Sequence, residues 1–368
     1  MKFRSTTIGD IASVQTGPFG SQLHNEDYVL VGTPIVTVEH LGQRKMAHKN
    51  LPRVSDADKE RLNKYTLEYG DLVFSRVGSV DRCSWVGHEE DGWMFSGRCL
   101  RVRPLDKDVV YHKYLYYFFT LDETKDFVRN IAVGATMPSI NTKLLSEVPI
   151  QIPSLEDQQA IADTLSVLDD RIEEKRAINH HLEQMAQAIF TKLCCNCEQA
   201  VLSDILTVCY GKDHKCLGDG QIPCYGSGGI MRHVDKALYT GESVLIPRKG
   251  SLNNVLYVNE AFWTVDTMFY TQITRPNVAK FAYFIVRDLD LAGMNVGSAV
   301  PSMTTAVLNS LEIVLPSEGA LATFEENVTP MFLQMEANNN ESMRLAELRD
   351  ALLPRLMSGE LELPHASK

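Results

Sequence analysis

Gly134-Ala135-Thr136-Met137-Pro138-Ser139-Ile140-Asn141-Thr142-Lys143-Leu144-Leu145-Ser146-Glu147-Val148-Pro149-Ile150-Gln151-Ile152-Pro153-Ser154 returns 163 residues later in the stretch 297–317, which begins Gly297-Ser298-Ala299-Val300-Pro301-Ser302. Eight of 21 positions are identical without a gap: Gly134, Pro138, Ser139, Thr142, Leu145, Ile150, Pro153 and Ser154. Average composition would give about one or two. The chain therefore repeats itself, and the repeat governs the architecture.

The likeness continues downstream at the same offset. Ile161, Leu168, Lys175, Leu182 and Ile189 match Phe324, Met331, Asn338, Leu345 and Leu352. Leu165, Ile172, Asn179, Ala186 and Leu193 match Val328, Met335, Ser342, Arg349 and Leu356. Both sets recur every seven residues, the spacing of a helix that packs along a partner helix. The expected helix-pair core is Ile161, Leu165, Leu168, Ile172, Leu182 and Ile189 with Phe324, Val328, Met331, Met335, Leu345 and Leu352. Arg349 interrupts the second stripe.

Ser154 is a suitable N-cap for the first helix, with Asp157 as its acidic partner three residues on. That helix is expected to reach about residue 193, a length of roughly 55 Å. The second is expected from about residue 317 to 353, with Pro354 kinking or ending it. The economical partner for each helix is the other, antiparallel, around a pseudo-two-fold axis that puts the globular domains at opposite ends. The alternative is that each helix packs on its own domain. Lys175, Asn179, Asn338 and Ser342 would meet near the centre and set the register.

Upstream, Ile8-Gly9-Asp10-Ile11…Gly17 resembles Leu202-Ser203-Asp204-Ile205…Gly211 at an offset of 194, and Gly70-Asp71-Leu72-Val73-Phe74 resembles Gly241-Glu242-Ser243-Val244-Leu245 at 171. The fall from 194 to 163 leaves 31 more residues inside the first half. The reading is an α+β chain: mixed α/β domains over 1–153 and 200–316, long spacer helices over 154–199 and 317–357, and a tail over 358–368. Residues 72–76 and 100–103 read as strands, and 111–129 as a helix with an aromatic face.

With 368 residues, 44% hydrophobic and 23% charged, the composition is that of a globular protein with room for two domains. No run of 18 apolar residues predicts a membrane span. The first seven residues lack an apolar signal core, so a cytoplasmic protein is expected. The eight cysteines fit a reduced compartment. Cys194-Cys195-Asn196-Cys197 is their only cluster, and no metal site is expected.

A net charge of −11 argues at first against nucleic-acid binding. The distribution alters that. Residues 1–153 hold 19 Lys/Arg and 19 Asp/Glu, and residues 200–317 hold 9 and 10. The acid excess sits in 154–199 and 318–368, each with 4 basic and 9 acidic residues. Two near-neutral domains can each carry a basic face, while the acidic helices suit protein partners.

The domain–helix–domain–helix order resembles the specificity subunits of Type I restriction-modification systems. Ile150-Gln151-Ile152-Pro153-Ser154-Leu155-Glu156-Asp157-Gln158-Gln159-Ala160-Ile161-Ala162 looks like the family's pre-helix signature, and residues 348–361 look like its C-terminus. Thr16-Gly17-Pro18-Phe19-Gly20-Ser21 resembles an opening of its first recognition domain. Pro316-Ser317-Glu318-Gly319-Ala320 departs from the signature at the second helix.

The resemblance implies two target-recognition domains, each reading one half of an asymmetric, bipartite double-stranded DNA target. The half-sites are expected about one helical turn apart on one face of DNA. It implies docking of two copies of a DNA adenine methyltransferase subunit, and through them the restriction (motor) subunits. S-adenosylmethionine, ATP and Mg are expected in those partners, with no cofactor in this chain. The chain lacks a phosphate-binding loop and an Asn/Asp-Pro-Pro-aromatic motif, so catalysis is not expected here. Gly226-Ser227-Gly228-Gly229 reads as a turn. An enzyme with unrecognised motifs and a coiled-coil scaffold that does not bind DNA are the alternatives.

DNA contacts call for Arg, Lys, Asn, Gln, Ser or Thr at base edges and phosphates. In the first domain the candidates are Gly17, Phe19 and Ser21; His40, Gln43, Arg44 and Lys45 after a strand at 34–38; and Arg76 and Arg82 beside Gly78-Ser79. In the second they are Tyr210, Gly211 and Lys212; Tyr225, Ser227 and Arg232; and Arg248, Lys249, Asn253 and Asn254.

Overall fold

The computed structural model describes residues 2–193, 197–291, 293 and 304–363. The cluster Cys194-Cys195-Asn196 and the second repeat copy at 297–302 lie outside the described residues. The chain divides into two compact units: Met1–Glu173 with Ser342–Lys368, and Glu174–Glu341.

The globular part of each unit opens and closes on a two-stranded antiparallel ribbon. In the first, Arg4–Thr7 pairs with Pro149–Ile152. In the second, Cys197–Val201 pairs with Glu312–Pro316. The strand that closes each ribbon is the last part of the repeated segment, and a long helix follows it directly.

The central sheet of the first unit has the order Ala12–Thr16, Cys99–Pro104, Leu72–Ser75, Cys83–Trp85. The second unit begins its sheet in the same order, with Leu206–Tyr210, Met268–Ile273, Tyr239–Pro247, Leu256–Thr264, and then adds Asp219–Gly226 and Gly229–Val234. In the first unit the parallel pair, Thr33–Val36 with Met94–Phe95, lies in a second four-stranded sheet, whereas in the second unit Asp219–Gly226 runs parallel to Leu256–Thr264 within the six-stranded sheet. Parallel and antiparallel pairing thus occur in both units, and the two modules share a frame. The extra length of the first lies largely in residues 37–71, which fold as one short strand, Arg53–Val54, and helical turns. Ser227-Gly228 is the turn of the added hairpin, as its glycines predict.

The first long helix is Leu155–Lys192 and the second Glu318–Met357. Ser154 caps the first as expected: its Oγ accepts from Asp157 N–H at 3.2 Å and donates to the Asp157 carboxylate at 2.7 Å. The second does not stop at Pro354. Leu353, Leu356 and Met357 are buried in the core of the first unit, and that packing carries the helix past the proline. The expected helix at 111–129 is two, His112–Thr120 and Asp122–Ile131. The break is at Leu121, whose ψ of 135 is extended, and Asp122 and Glu123 then favour a new N-terminus.

Each unit takes part of both long helices, and within each the pair is antiparallel. In the first unit, Ile161 and Leu165 share a core with Leu353 and Leu356. In the second, Lys175 meets Asn338, Asn179 meets Met335, and Phe190 meets Phe324. Ile161, Leu165, Ile172, Phe324 and Val328 are buried as expected of the stripe. Leu168, Leu182, Ile189, Met331, Met335, Leu345 and Leu352 are partly covered. The same cores hold helix 112–120 in one unit and Ala279–Asp288 in the other. Helix–helix and helix–domain packing therefore coexist, and this is why the compact units are cut within the helices rather than at their starts.

Of the four polar residues expected at the centre of the pair, Lys175, Asn179 and Asn338 meet, joined by Glu341 in place of Ser342. Lys175 is 9% exposed, with Nζ 3.3 Å from Asn338 Oδ1 and 2.6 Å from Glu341 Oε2. Asn338 Nδ2 donates to Asn179 Oδ1 at 2.7 Å. Among the described residues no helix is long and apolar enough to cross a membrane. Burial pushes the thiols of Cys83 and Cys99 up to about 12, so both are uncharged packing groups.

Candidate nucleic-acid interface

In the first unit the strand Leu72–Ser75 delivers Arg76. Its N–H donates to the Arg98 carbonyl at 2.8 Å. The chain then turns over Gly78 (φ 75), and Val80 N–H bonds back to the Gly78 carbonyl at 2.9 Å before Val80 enters the core. The Arg76 guanidinium lies 5.6 Å from the ring centre of Phe19, which is 51% exposed. Arg76 Nη1 donates to the Gly97 carbonyl at 3.1 Å, fixing the stack. Phe19 reaches this place because Gly17 lies hard against residue 96; a Cβ there would stand 2.2 Å from the Ser96 carbonyl oxygen.

The second unit repeats the device. Tyr239–Pro247 delivers Arg248, whose N–H donates to the Thr267 carbonyl at 2.8 Å. The turn passes over Gly250 (φ 83), and Leu252 N–H returns to the Gly250 carbonyl at 2.9 Å. The Arg248 guanidinium lies 5.3 Å from the ring of Tyr210, 49% exposed. A Cβ at Gly211 would stand 2.0 Å from the Val265 carbonyl oxygen. Neither arginine pairs with a carboxylate among the described residues. A cation–π contact holds each guanidinium over its ring, and both arginines stay partly exposed.

Other candidates gather around these stacks. Ser21 and Arg82 are exposed, and Arg98, which the sequence reading passed over, is exposed beside Arg76. In the second unit Lys212 is exposed next to Gly211, with its backbone held by Thr264 and Trp263. Asn254 Nδ2 donates to the Ser227 carbonyl at 2.8 Å, which ties the hairpin tip to the turn carrying Arg248, Lys249 and Asn253.

Residues 133–139 form a second missed element. Gly78 N–H donates to the Pro138 carbonyl, and Ile140 N–H to the Arg76 carbonyl. Val133 and Met137 are 64% and 67% exposed at that spot. Their signal was the repeat itself, which the sequence reading used for topology alone.

Six candidates have other work. His40 is buried, and its Nδ1 accepts from Thr37 N–H at 3.1 Å, so it closes a turn. Arg44 is 8% exposed, stacks 4.5 Å from Trp85, and pairs with Asp170 at 2.7 Å and Glu173 at 3.3 Å. Burial works against its charge, but Tyr117 and those carboxylates outweigh it and raise its pKa. Lys45 also pairs with Glu173, at 2.5 Å. The Gln43 carbonyl accepts from Tyr116 O–H, and the exposed side chain of Gln43 shares that helix-facing loop. The loop 40–45 thus clasps the first long helix instead of presenting an edge for DNA. Tyr225 is buried with its hydroxyl 2.6 Å from Glu260; burial and that bond raise its pKa. Arg232 donates inward to the His214 and Leu217 carbonyls.

His48, Glu89 and Glu90 bring ligand atoms within 4.8 Å of one another. Glu90 is already used: one oxygen accepts from Gly87 N–H at 2.8 Å and the other meets His48 Nε2 at 2.5 Å. Glu90 thus closes the turn 87–90.

Comparison with known proteins follows the same lines. Residues 2–184 match the Type I restriction modification DNA specificity domain. The Type I restriction enzyme MjaIX specificity subunit of Methanocaldococcus jannaschii is 26% identical over 307 residues, 70% of this chain and 71% of that protein. The HindI specificity subunit of Haemophilus influenzae is 21% identical over 435 residues, 86% of this chain and 92% of that protein. The crystal structure of the Type-I restriction-modification S subunit from M. genitalium shares the fold over 100% of this chain and 97% of its own, with a TM-score of 0.62 at 18% identity. The chain belongs to the specificity subunits of Type I restriction-modification systems, the non-catalytic components that confer DNA sequence specificity.

Proposed function

We propose that the chain reads an asymmetric, bipartite DNA target, one half with each domain, and docks methyltransferase subunits that modify adenine within it. The observation that carries this is the shared strand order of the two modules, each with an arginine over an exposed ring directly after its third strand in that order, but bearing unlike insertions, residues 37–71 in one and the hairpin Asp219–Val234 in the other. A common frame with unlike insertions suits two readers of different sequences. The acidic long helices suit protein contact, since phosphates repel them. Two methyltransferase copies would match the two module–helix repeats, and restriction subunits would join through them. S-adenosylmethionine, ATP and Mg would be bound by those partners.

The test is long-read methylation sequencing of DNA from cells carrying the cognate methyltransferase, with and without this gene. A split motif methylated only with the gene is the expected result. No difference, once co-purification of the subunits is established, overturns the reading.

A further inference from the structure

The two modules share more than strand order around their arginines. Arg76 and Arg248 leave equivalent strands, donate to equivalent carbonyls (Arg98 and Thr267), and precede equivalent positive-φ glycines (Gly78 and Gly250). Gly17 N–H donates to the Cys99 carbonyl at 3.3 Å, and Gly211 N–H to that of Met268 at 3.0 Å. The aromatic partners do not correspond in sequence. Phe19 comes two residues after Gly17, and Tyr210 one residue before Gly211. Two different routes bring a half-exposed ring under the same guanidinium. Divergence has thus preserved the stack while changing how it is made.

We infer that Arg76 and Arg248 are equivalent backbone-phosphate anchors, one for each half of the DNA target, and do not read bases. The inference rests on the proposal that each module binds half of the target. Groups that read unlike half-sites must differ between modules, whereas the phosphate backbone is the same in both halves. A device present twice in one geometry matches the component of DNA that is present twice in one chemistry. The ring and the carbonyl bond (Gly97 for Arg76, Asp266 for Arg248) restrict the guanidinium, so little freedom is lost on binding phosphate. Base readout then falls to elements that differ between the modules, such as the Ser227 hairpin tip with Asn253, which is an addition of the second module.

The experiment uses the co-purified complex with its methyltransferase, on a duplex carrying the motif found by sequencing. Binding is followed by fluorescence anisotropy at several salt concentrations, and each variant's methylated motif is sequenced in cells. Arg76→Ala and Arg248→Ala are each expected to weaken binding about tenfold and to lower the log–log salt slope by about 1, with the motif unchanged at every position. Arg76→Lys and Arg248→Lys are expected to recover the salt slope, because phosphate accepts a point charge. The slope does not depend on the active fraction, so a partly misfolded variant still reports.

Relaxation of the motif at one position of the matching half would make the arginine a base reader and overturn the inference. Unchanged affinity and slope would overturn it too. Absence of any methylated motif with the unaltered gene would instead sink the bipartite-reader proposal, before any variant is made.

Discussion

Asp169 on the first long helix accepts a hydrogen bond from Arg349 on the second, Nη1 to Oδ1 at 2.6 Å, across 180 residues of chain. Its other oxygen accepts from Tyr117 O–H at 2.6 Å. The arginine that interrupts the heptad stripe is thus answered by a carboxylate that also holds helix 112–120. Asp169→Ala is expected to cost about 2–4 kcal/mol, because it strands two donors in a mostly buried place. Arg349→Ala should cost less, about 1–2 kcal/mol, its side chain being 26% exposed. Urea unfolding of both variants and the double variant checks this; purely additive losses would mean that the pair does not couple.

The Lys175–Asn338–Asn179 knot invites the opposite experiment. Asn338→Leu removes a partner from a buried lysine and is expected to destabilise by about 2 kcal/mol. Lys175→Leu combined with Asn338→Leu should recover that loss or exceed it, since an apolar pair avoids the desolvation of the charge. The urea midpoint decides; a double variant weaker than Asn338→Leu would show that the polar knot itself stabilises the pair.

Arg44 separates structure from recognition. Arg44→Ala is expected to lower stability by about 2–3 kcal/mol through loss of the Trp85 stack and of the bonds to Asp170 and Glu173. DNA affinity per folded molecule should be unchanged. A fall in the salt slope, of the kind expected for Arg76→Ala, would return Arg44 to the interface.

Acid should weaken the first unit through His112. Burial, reinforced by Lys113 and Lys107, pushes its pKa down to about 4. Between about pH 6.5 and 4 the unfolded chain binds a proton that the folded chain refuses. The contribution is therefore complete above pH 6.5, declines as pH falls through this window, and levels off below about 4. Its span is at most about 2 kcal/mol for this partly exposed ring. His112→Phe keeps a ring beside Tyr69 and Trp85. The difference in urea midpoint between the two proteins should change with pH across the window; a constant difference would contradict the assignment.

A methyl group at Gly17 or Gly211 tests the close approach behind each stack. Gly17→Ala and Gly211→Ala drive Cβ into a carbonyl oxygen and are expected to cost about 1–3 kcal/mol. They should also reduce DNA affinity, which anisotropy of the complex would measure. Full affinity with full stability would mean that the loops simply shift.

The long helices were legible because heptads and caps are local patterns, and Ser154, Ile161 and Val328 behave as their spacing says. Leu121 was not, since a break between two apolar turns leaves no mark in periodicity. At the candidate interface, glycine and charge led to Phe19, Arg76, Tyr210 and Arg248. The same criteria also selected Arg44 and His40, because an arginine that clasps a helix and one that meets solvent share one residue type. What separates them is a partner far along the chain, Asp170 for Arg44 and an aromatic ring for Arg76. The stack itself was hidden because its two rings occupy different sequence positions.

The entry and exit strands of each module lie side by side, Arg4 opposite Ile152 and Cys197 opposite Pro316. A module whose chain enters and leaves side by side can be exchanged as a cassette for another whose ends form the same ribbon and whose surface packs on the same helices.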